Sequence, residues 1–581
     1  MNTFKGTVFF ELRLIPKSGD SQKIKGGDIK KFDLRLDSWG WSGSLDFWVF
    51  DTIDQQGAQE DKVKELFWKP DLLKIELDVQ AGLARTVEQR SELRDIVTLR
   101  AIVTKRSVVE RELTGGMKHV LARRYSISFA DSAQVLWGQH HPCQLYANKS
   151  MQDVFQDHLP EGILLQSDGN EALAVLNAIT FLALDPSIGK ASFYDFAIWW
   201  IDRHRLILEY VYGATQETYT LKEKKTDSGT PFIVWKDNVA VDGVKVDIPE
   251  VPRYVVNVLD SFTGAKIGPT KVTQDYNVAK IRRDTLLRTP LSNPDFEDRA
   301  ALERKRLVPD PPVEMSMSFQ TVPWAMPFPG DRFEFQKERG WTPETWQMTK
   351  SKVVRVTSVR LSGVSWDESP DFTHLYTMGE YNVSLVAQFE AESEKETPRL
   401  PAFVEPVYPV YVEATILSEV GATDELTYDP KEQDSGLFAY RVKVPLWEDT
   451  VTEIPVPYNP GRMPGQLFFP AYRDERIVLA LTWHKAWIDS FIDWRPDARM
   501  SEASQANRML LGKNPKSRTS LTNYYEESGS LLPIFEIARS HESDKQTICI
   551  SEGNLLIEVK EDQNDSPSNA KVENVVKGKQ D

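Results

Sequence analysis

Two strand-like runs flank a segment rich in proline and glycine between Gly436 and Arg495, near the C-terminal end of the chain. The first run, Leu437 to Val444, alternates apolar and basic side chains, which is typical of a strand with one buried face. The second, Arg476 to Trp483, is almost wholly apolar, as in a strand buried on both faces. Turn residues from Tyr458 to Gly465 predict a loop between them. This pattern predicts a small closed barrel.

Alternating apolar and polar residues recur through much of the chain and predict a mainly β protein. With 581 residues the chain is too long for one core, and three to five domains are expected. The strands predicted before and after the middle of the chain are Thr7 to Ile15, Phe32 to Leu36, Ser44 to Phe50, Leu72 to Val79, Ile96 to Val109, Arg123 to Phe129, Val353 to Leu361 and Tyr381 to Phe389.

Three helices are predicted between the two groups of strands. The first begins at Ser150, where Asp153 stands at the capping-box spacing. The second covers Glu171 to Leu184, which is strongly apolar and ends before a proline. The third begins at Ser192 and places Phe193, Phe196 and Trp200 on one face. These helices predict an insert within a β framework.

Beyond the second group of strands, the residue composition predicts a linker and a short β segment. Glu392 to Pro409 contains four prolines and is expected to be extended and semi-rigid. Thr547 to Val559 predicts a hairpin that turns at Ser551 to Asn554. Residues Glu561 to Asp581 are polar and highly charged, which predicts a flexible tail.

The net charge of −16 disfavours a polyanionic partner such as nucleic acid. The barrel segment is nearly neutral, with nine Lys or Arg against ten Asp or Glu between Lys431 and Met500. Cys143 and Cys549 are the only cysteines, too few for a disulfide framework, so we expect synthesis in the cytoplasm. The N-terminus shows no signal-peptide pattern, and no apolar run is long enough for a membrane span.

Known catalytic motifs are incomplete wherever they begin. His541 and Glu542 open a zinc-protease pattern that lacks its second histidine. Gly512 and Gly189, each followed by lysine, lack the other residues of a phosphate-binding loop, and no G-x-S-x-G sequence occurs. We therefore predict no catalytic residue, no cofactor and no enzymatic activity.

The cluster His140, His141, Pro142 and Cys143 is the best candidate for a metal site, since imidazole and thiolate bind zinc. Its ligands are adjacent and no second pair lies nearby, so the alternative, a strand-end loop with a buried cysteine, is preferred and no metal is predicted. The aromatic residues between Phe193 and Trp200 could line a sugar site, but their helical spacing favours a core. The aromatic residues Phe468, Phe469, Trp483, Trp487 and Trp494 are likewise interpreted as core or interface.

Eight local motifs follow one another along the chain. They are Arg123 to Ile127, Val135 to Gly138, Cys143 to Ser150, Phe193 to Ile198, Arg205 to Tyr210, Phe328 to Phe333, Arg441 to Val444 and Phe468 to Leu481. In this order they resemble the motifs of the VgrG-like hub-and-spike proteins of contractile injection systems and contractile phage tails. The resemblance covers most of residues 1 to 560.

The resemblance implies a domain order and a function. It implies a first hub β-barrel at 1–160, a helical/β insert at 161–250, a second hub β-barrel at 251–395, a proline-rich linker at 396–410, an OB-like spike barrel at 411–500, a short β-prism or β-helix start at 501–560 and a tail at 561–581. The family implies a homotrimer that seats on the inner tube, plugs its end and carries the puncturing tip. Its expected partners are the inner tube protein, baseplate proteins and, in some cases, effector cargo.

The sequence departs from the family pattern in ways that change the expectation. Arg473 stands where a glycine usually precedes the acidic pair Asp474 and Glu475. The long repeats of a β-helical needle are missing, and only some eighty residues follow the barrel, so we expect the tip to be a separate protein. This favours a phage tail-like particle, including one released from the cell, over a standard type VI secretion spike.

Two other functions remain open from the residues alone. The first alternative is an OB-fold module that binds sugars or oligonucleotides, which saturable, salt-sensitive binding would reveal. The second is a hydrolase, which would be revealed by loss of turnover on mutation of a specific carboxylate.

Overall fold

The fold was analysed in a computed structural model of the chain. The structure describes residues 3–54, 57–59, 61–82, 93–115, 118–167, 171–187, 189–227, 229–246, 255–260, 266–271, 282–287, 313–348, 351–366, 378–417, 431–432, 438–447, 450–456, 471, 474–492, 507–514, 517–525, 532–551, 553–560 and 576–577.

Strands account for 57% of the structure and helices for 14%, which confirms the mainly β prediction. The strands in the first half are β1 (Phe4–Pro16), β2 (Gln22–Lys25), β3 (Ile29–Asp37), β4 (Gly40–Asp54), β5 (Gly57–Gln59), β6 (Leu73–Ala81), β7 (Val97–Gly115), β8 (Lys118–Ala130), β9 (Cys143–Ser150), β10 (Ile163–Ser167), β11 (Leu176–Ala183), β12 (Ile207–Tyr210), β13 (Glu217–Lys222), β14 (Val239–Val246), β15 (Val255–Asp260), β16 (Lys266–Lys271) and β17 (Arg282–Leu287).

The strands in the second half are β18 (Val313–Phe319), β19 (Arg332–Glu334), β20 (Val353–Ser365), β21 (Met378–Ala391), β22 (Val410–Leu417), β23 (Lys431–Glu432), β24 (Phe438–Val444), β25 (Thr450–Val456), β26 (Arg476–Leu481), β27 (Ala486–Phe491), β28 (Asn507–Asn514), β29 (Ser517–Tyr525), β30 (Pro533–His541), β31 (Asp544–Ser551), β32 (Asn554–Lys560) and β33 (Val576–Lys577). The α-helices in the described residues are α1 (Val63–Trp68), α2 (Ser132–Leu136), α3 (Met151–Asp157), α4 (Glu171–Ala174), α5 (Phe193–His204) and α6 (Pro343–Met348). None of these helices has the length and apolar character needed to cross a membrane.

The chain divides into two compact units. The first comprises Met1–His141, Gln152–Val175 and Leu184–Pro406, and the second comprises Pro142–Met151, Leu176–Ala183 and Val407–Asp581. The boundary between Pro406 and Val407 falls inside the segment predicted as a proline-rich linker.

The first unit is built on a sheet that closes on itself. Following the hydrogen-bonded neighbours, the circuit runs β1, β6, β7, β8, β4, β3, β20 and β21, and β21 pairs with β1 again. Strands of both predicted hub ranges, 1–160 and 251–395, therefore contribute to one sheet. The division into two hub barrels with those boundaries stays a prediction.

Aromatic side chains pack where the early and late strands of this circuit meet. Phe10 of β1, Phe32 of β3 and Tyr381 of β21 are buried, with ring centroids 4.8 to 6.0 Å apart and edge-to-face geometry. The Tyr381 hydroxyl donates a hydrogen bond to the carbonyl of Gly26 at 2.8 Å. The Phe32 ring lies so close to Gly363 that an added Cβ would approach it to 2.4 Å, which explains why glycine is needed there.

The third predicted helix is confirmed as α5. Ser192 accepts a hydrogen bond from the backbone N–H of Asp195, and the Asp195 carboxylate accepts one from the backbone N–H of Ser192. This is the reciprocal capping box. Phe193, Phe196 and Trp200 are fully buried, which confirms that these aromatic residues form core and not an exposed sugar platform.

The predicted helix from Glu171 to Leu184 is wrong. Only α4 is helical there, and Leu176–Ala183 forms β11, which pairs antiparallel with β9. A short apolar run has no decisive periodicity, so strand pairing elsewhere in the fold determines its structure.

The second unit contains two six-stranded sheets. Its first sheet has the order β23, β24, β22, β26, β27, with β25 also paired to β24. The predicted loop from Tyr458 to Gly465 lies outside the described residues, and closure of a barrel stays a prediction. The second sheet runs β28 to β33 in sequence order. Its β31 and β32 are joined by the predicted hairpin turn.

Candidate functional site

The sheet β28 to β33 has one face that is unusually apolar, and the register of its strands explains why. Met509 lies opposite Leu521, Leu521 opposite Ile537, Ile537 opposite Ile548, and Ile548 opposite Ile557. A row of large apolar side chains therefore crosses five strands, because directly opposed residues point to the same face.

Seven of the large apolar side chains on this face are between 36% and 48% exposed in the chain. They are Met509, Leu511, Phe535, Ile548, Ile550, Leu555 and Ile557, which we call the C-terminal apolar face. The opposite face carries small or polar residues, among them Ser520, Ala538 and Thr547, which are buried. A contiguous apolar surface of this kind marks a site of protein association.

The other sheet of the second unit has a continuous core. Buried residues of its strands include Ile416, Tyr440, Val442, Ile477 and Leu479, all at or near zero exposure. Along β24, Tyr440, Val442 and Val444 are buried as predicted, and Arg441 and Lys443 between them are partly exposed. Ala439, on the same face as the two basic residues, is also buried, so the alternation is incomplete.

Two strands from the N-terminal half of the sequence complete this core. The antiparallel pair β9 and β11, here called the β9–β11 ribbon, contributes Leu145, Ile179 and Phe181. The backbone N–H of Phe181 donates to the carbonyl of Trp483 at 2.9 Å, and the Tyr408 hydroxyl donates to the carbonyl of Phe181 at 2.7 Å. The second unit thus depends on residues separated from it by more than two hundred positions.

In the first unit, two carboxylates share one buried site. Asp131 accepts hydrogen bonds from the backbone N–H of Trp41 at 2.9 Å and from the Tyr219 hydroxyl at 2.7 Å. Glu217 accepts from the backbone N–H of Ser132 at 2.7 Å and from Tyr219 at 3.2 Å. Burial raises the pKa of Asp131, and burial together with the nearby Asp131 charge raises the pKa of Glu217 to about 7.

This buried carboxylate pair is unlike a catalytic dyad in its surroundings. The oxygens of the pair accept hydrogen bonds from residues at the start of α2, in strand β4 and in strand β13. The pair therefore connects the closed sheet to the helical insert, and its titration should affect folding more than chemistry. Sequence reasoning missed it, because nothing in the residue pattern distinguishes two acids among 86.

A second buried cluster surrounds Glu390. This carboxylate, 2% exposed, bonds Lys225 at 2.7 Å, Arg355 at 3.1 Å and Arg399 at 3.0 Å. Arg355 also donates to Asp227 at 2.7 Å. We call this the Glu390 ion cluster. It holds the start of the segment predicted as a proline-rich linker against β20 and β21, so that segment is attached there.

The residues of the candidate metal site do not share one environment. His140 Nε2 lies 2.8 Å from His158 Nδ1, and His141 Nδ1 lies 3.1 Å from the carbonyl of Ala191, all within the first unit. Cys143 is exposed and begins β9 in the second unit, so the expectation of a buried cysteine is wrong. Within the described residues, no three His, Cys, Asp or Glu side chains are grouped as metal ligands would be.

The contact between His140 and His158 requires at least one of the two rings to be neutral. Burial and the adjacent His140 lower the pKa of His158 to about 4, while burial and His141 lower the pKa of His140. One ring nitrogen must donate and the other accept across the 2.8 Å contact, so protonation of both rings would break it.

The remaining motif residues take structural positions. His541 ends β30, where its Nδ1 lies 3.1 Å from the Ser517 hydroxyl oxygen, and Glu542 lies in the turn that follows. Trp483 is buried, and Trp487 in β27 is half-buried. Phe468, Phe469 and Trp494 lie outside the described residues, as does most of the predicted tail.

The fold of this chain is similar to that of several solved structures. No protein-family model matches the sequence, and no curated protein matches it. Among solved structures, a chain of the lidless PdpA-VgrG complex matches with a TM-score of 0.66 at 12% identity, covering 96% of this chain and 99% of that chain. Chains of the lidded and half-lidded Francisella PdpA-VgrG complexes match with a TM-score of 0.65 at 14% identity, covering 96% of this chain and 80% and 89% of theirs.

At this level of identity the likeness shows the fold. The chain has the fold found in these PdpA-VgrG complexes, along nearly its whole length. The resemblance to VgrG-like proteins that the sequence motifs indicated is confirmed at that level.

Proposed function

We propose that this protein is the hub and spike of a contractile injection system, a structural component without enzymatic activity. The observation that carries the proposal is the fold likeness to PdpA-VgrG complexes, which spans both units and leaves only 4% of the chain uncovered. A likeness limited to a single barrel would be compatible with many binding proteins. A likeness over the whole order of domains favours a shared architectural role.

The working form of the protein is a homotrimer. The C-terminal apolar face supports this, since a sheet face with seven exposed large apolar side chains is costly in water. Three copies of the same face can enclose a common core, and a closed assembly has no remaining apolar surface that would continue into a fibre. Many aliphatic residues and little charge on the face suit contact with an identical copy.

The first unit would seat on the end of the inner tube and plug it, next to baseplate proteins. The second unit would extend the axis towards the target and bind a separate tip protein. The structural relatives support a partner of this kind, since their structures are complexes between two different proteins. Assembly would follow synthesis in the cytoplasm, with the particle or its contents released from the cell.

Mass measurement on the purified full-length chain tests the oligomeric part directly. At micromolar concentration we expect three times the 66.3 kDa of one chain. A stable monomer would contradict the proposed assembly. In producing cells, removal of the gene should leave tubes and sheaths without complete particles in electron micrographs, and particles of normal appearance would overturn the hub assignment.

A further inference from the structure

The first unit has a partly open cavity of about 510 Å³ that the hub role does not explain. Its walls come from β12, the segment that follows β13, the turn before β19, and strands β20 and β21. The volume falls in the range of sites that hold small organic molecules. Phe232, Tyr210 and Tyr212 supply apolar ring surface to the lining.

The lining is positive in a chain whose net charge is −16. Three acidic residues, Glu209, Asp331 and Glu390, line the cavity. The basic residues that line it are twice as many: Arg94, Lys222, Lys225, Arg332, Arg355 and Arg399.

Several of the acids that neutralise these cations lie outside the lining. Arg332 pairs with Glu392, and Arg355 pairs with Asp227 in addition to Glu390. Neither Glu392 nor Asp227 lines the cavity. Arg94 and Lys222 pair within the lining, with Asp331 and Glu209. The lining as a whole still holds more basic than acidic groups, which favours an anion in the cavity.

Three buried donor groups of the lining have no hydrogen-bond partner in the described protein. They are the Nε–H groups of Arg332 and Arg355 and the hydroxyl of Thr357. The Arg355 side chain is only 4% exposed and Thr357 only 5%, so bulk water does not satisfy these groups freely. A buried donor without an acceptor is unfavourable, and three around one cavity point to an acceptor that binds there.

The strand register brings two of these donors together. Arg332 in β19 lies directly opposite Arg355 in β20, which places their unpartnered Nε–H groups on neighbouring strands. Guanidinium groups are the preferred protein ligands of carboxylate and phosphate oxygens, because each N–H forms a charge-assisted hydrogen bond. Thr357 follows two residues after Arg355 on the same strand.

We propose that this cavity binds a small organic molecule through a phosphate group, held by Arg332, Arg355 and Thr357. The apolar part of the molecule packs against the aromatic lining. Binding joins β19, β20 and the segment after β13 in the first unit, so the ligand stabilises the fold by an amount that rises with the logarithm of its concentration above Kd. The site lies within one unit of one chain and does not depend on the proposed hub role.

The test uses the full-length protein with three probes at constant ionic strength: inorganic phosphate, phenyl phosphate and phenol. Calorimetric titration and thermal unfolding measure binding. We expect saturable binding of phosphate over chloride, binding of phenyl phosphate at least about tenfold tighter, and no binding of phenol at the same concentrations. Equal affinity for the two phosphates would overturn the organic-ligand assignment, and absence of binding by both would overturn the site.

Two variants separate the site from nonspecific anion effects. Thr357→Val keeps the side-chain volume and removes one donor, and Arg332→Lys keeps the charge and removes the Nε–H. Each should weaken phenyl phosphate binding by about tenfold or more. Ser358→Ala is the matched control, since its hydroxyl donates instead to Gln388 at 3.0 Å, and it should bind normally. Unchanged affinity in both site variants, with native circular dichroism, would contradict the proposal.

Discussion

Ile548 lies at the centre of the C-terminal apolar face, between Ile537 and Ile557 on the neighbouring strands. In the single chain it is 38% exposed, so Ile548→Lys can direct its ammonium group into water and the sheet should still form. In a trimer the same lysine would enter the interface three times. The variant therefore separates folding of one chain from association of three.

The size of the effect follows from the exposed fractions. Full burial of a large apolar side chain is worth about 1.5 to 3 kcal/mol, so seven such side chains that retain roughly two-fifths exposure leave about 4 to 8 kcal/mol per chain for association. Ile548→Lys loses its own share and adds a buried charge that costs several kcal/mol in each chain. The trimer should dissociate at concentrations at least about a thousandfold higher than those at which the unmodified protein does.

Sedimentation at a series of concentrations measures the mass, and far-ultraviolet circular dichroism measures the fold. Ser543→Lys adds the same charge at an exposed turn on the same hairpin and should leave the trimer intact. A trimeric Ile548→Lys at low micromolar concentration would refute the argument that this face forms the interface. Equal dissociation of both variants would also refute it, since net charge would then be the cause.

Four further predictions concern stability. Burial raises the pKa of Glu217 from its ordinary value of 4.5 to about 7, so its contribution to the free energy of unfolding is full below pH 4.5 and is lost as pH rises through 7. Glu217→Gln should remove this loss, about 3 kcal/mol, in unfolding measured from pH 5 to 8. The lowered pKa of His158 has the opposite effect: its contribution to the free energy of unfolding is full above pH 6.5 and is lost as pH falls towards 4. The ring proton resonances of His158 should titrate near pH 4. Glu390→Gln removes the carboxylate that pairs with buried Lys225 and should cost about 3 to 5 kcal/mol in thermal unfolding. Glu380→Gln breaks an exposed pair and should cost less than about 1 kcal/mol. Phe181→Ala should destabilise the second unit by about 3 to 5 kcal/mol, because it removes a fully buried ring. If limited proteolysis of this variant cleaved the first unit before the second, the β9–β11 ribbon would not belong to the core of the second unit.

Local residue patterns predicted the secondary structure best where one face of an element is buried. Tyr381 to Phe389 alternates cleanly and lies in β21, and Thr547 to Val559 forms the predicted hairpin. The capping residues of α5 also stand in the sequence at their observed spacing. In each case the information is contained within about ten consecutive residues.

Leu176 to Ala183 shows where local patterns were insufficient. Its apolar residues fit a helix or a buried strand, and pairing with β9 decides between them. The buried carboxylate pair and the Glu390 ion cluster were also hidden, because their members are ordinary charged residues separated by up to 165 positions. Burial and partners are properties of the folded chain, and they determine which acids have shifted pKa values.

The sequence by itself determined the mainly β class, the order of the principal strands, and the resemblance to VgrG-like proteins, since periodicity and turn residues act locally. Only the tertiary structure decided that early and late strands close one sheet, that the β9–β11 ribbon completes the core of the second unit, and that basic residues surround a cavity. These features join residues far apart in the chain. Their stability comes from packing and charge pairing that no short segment contains.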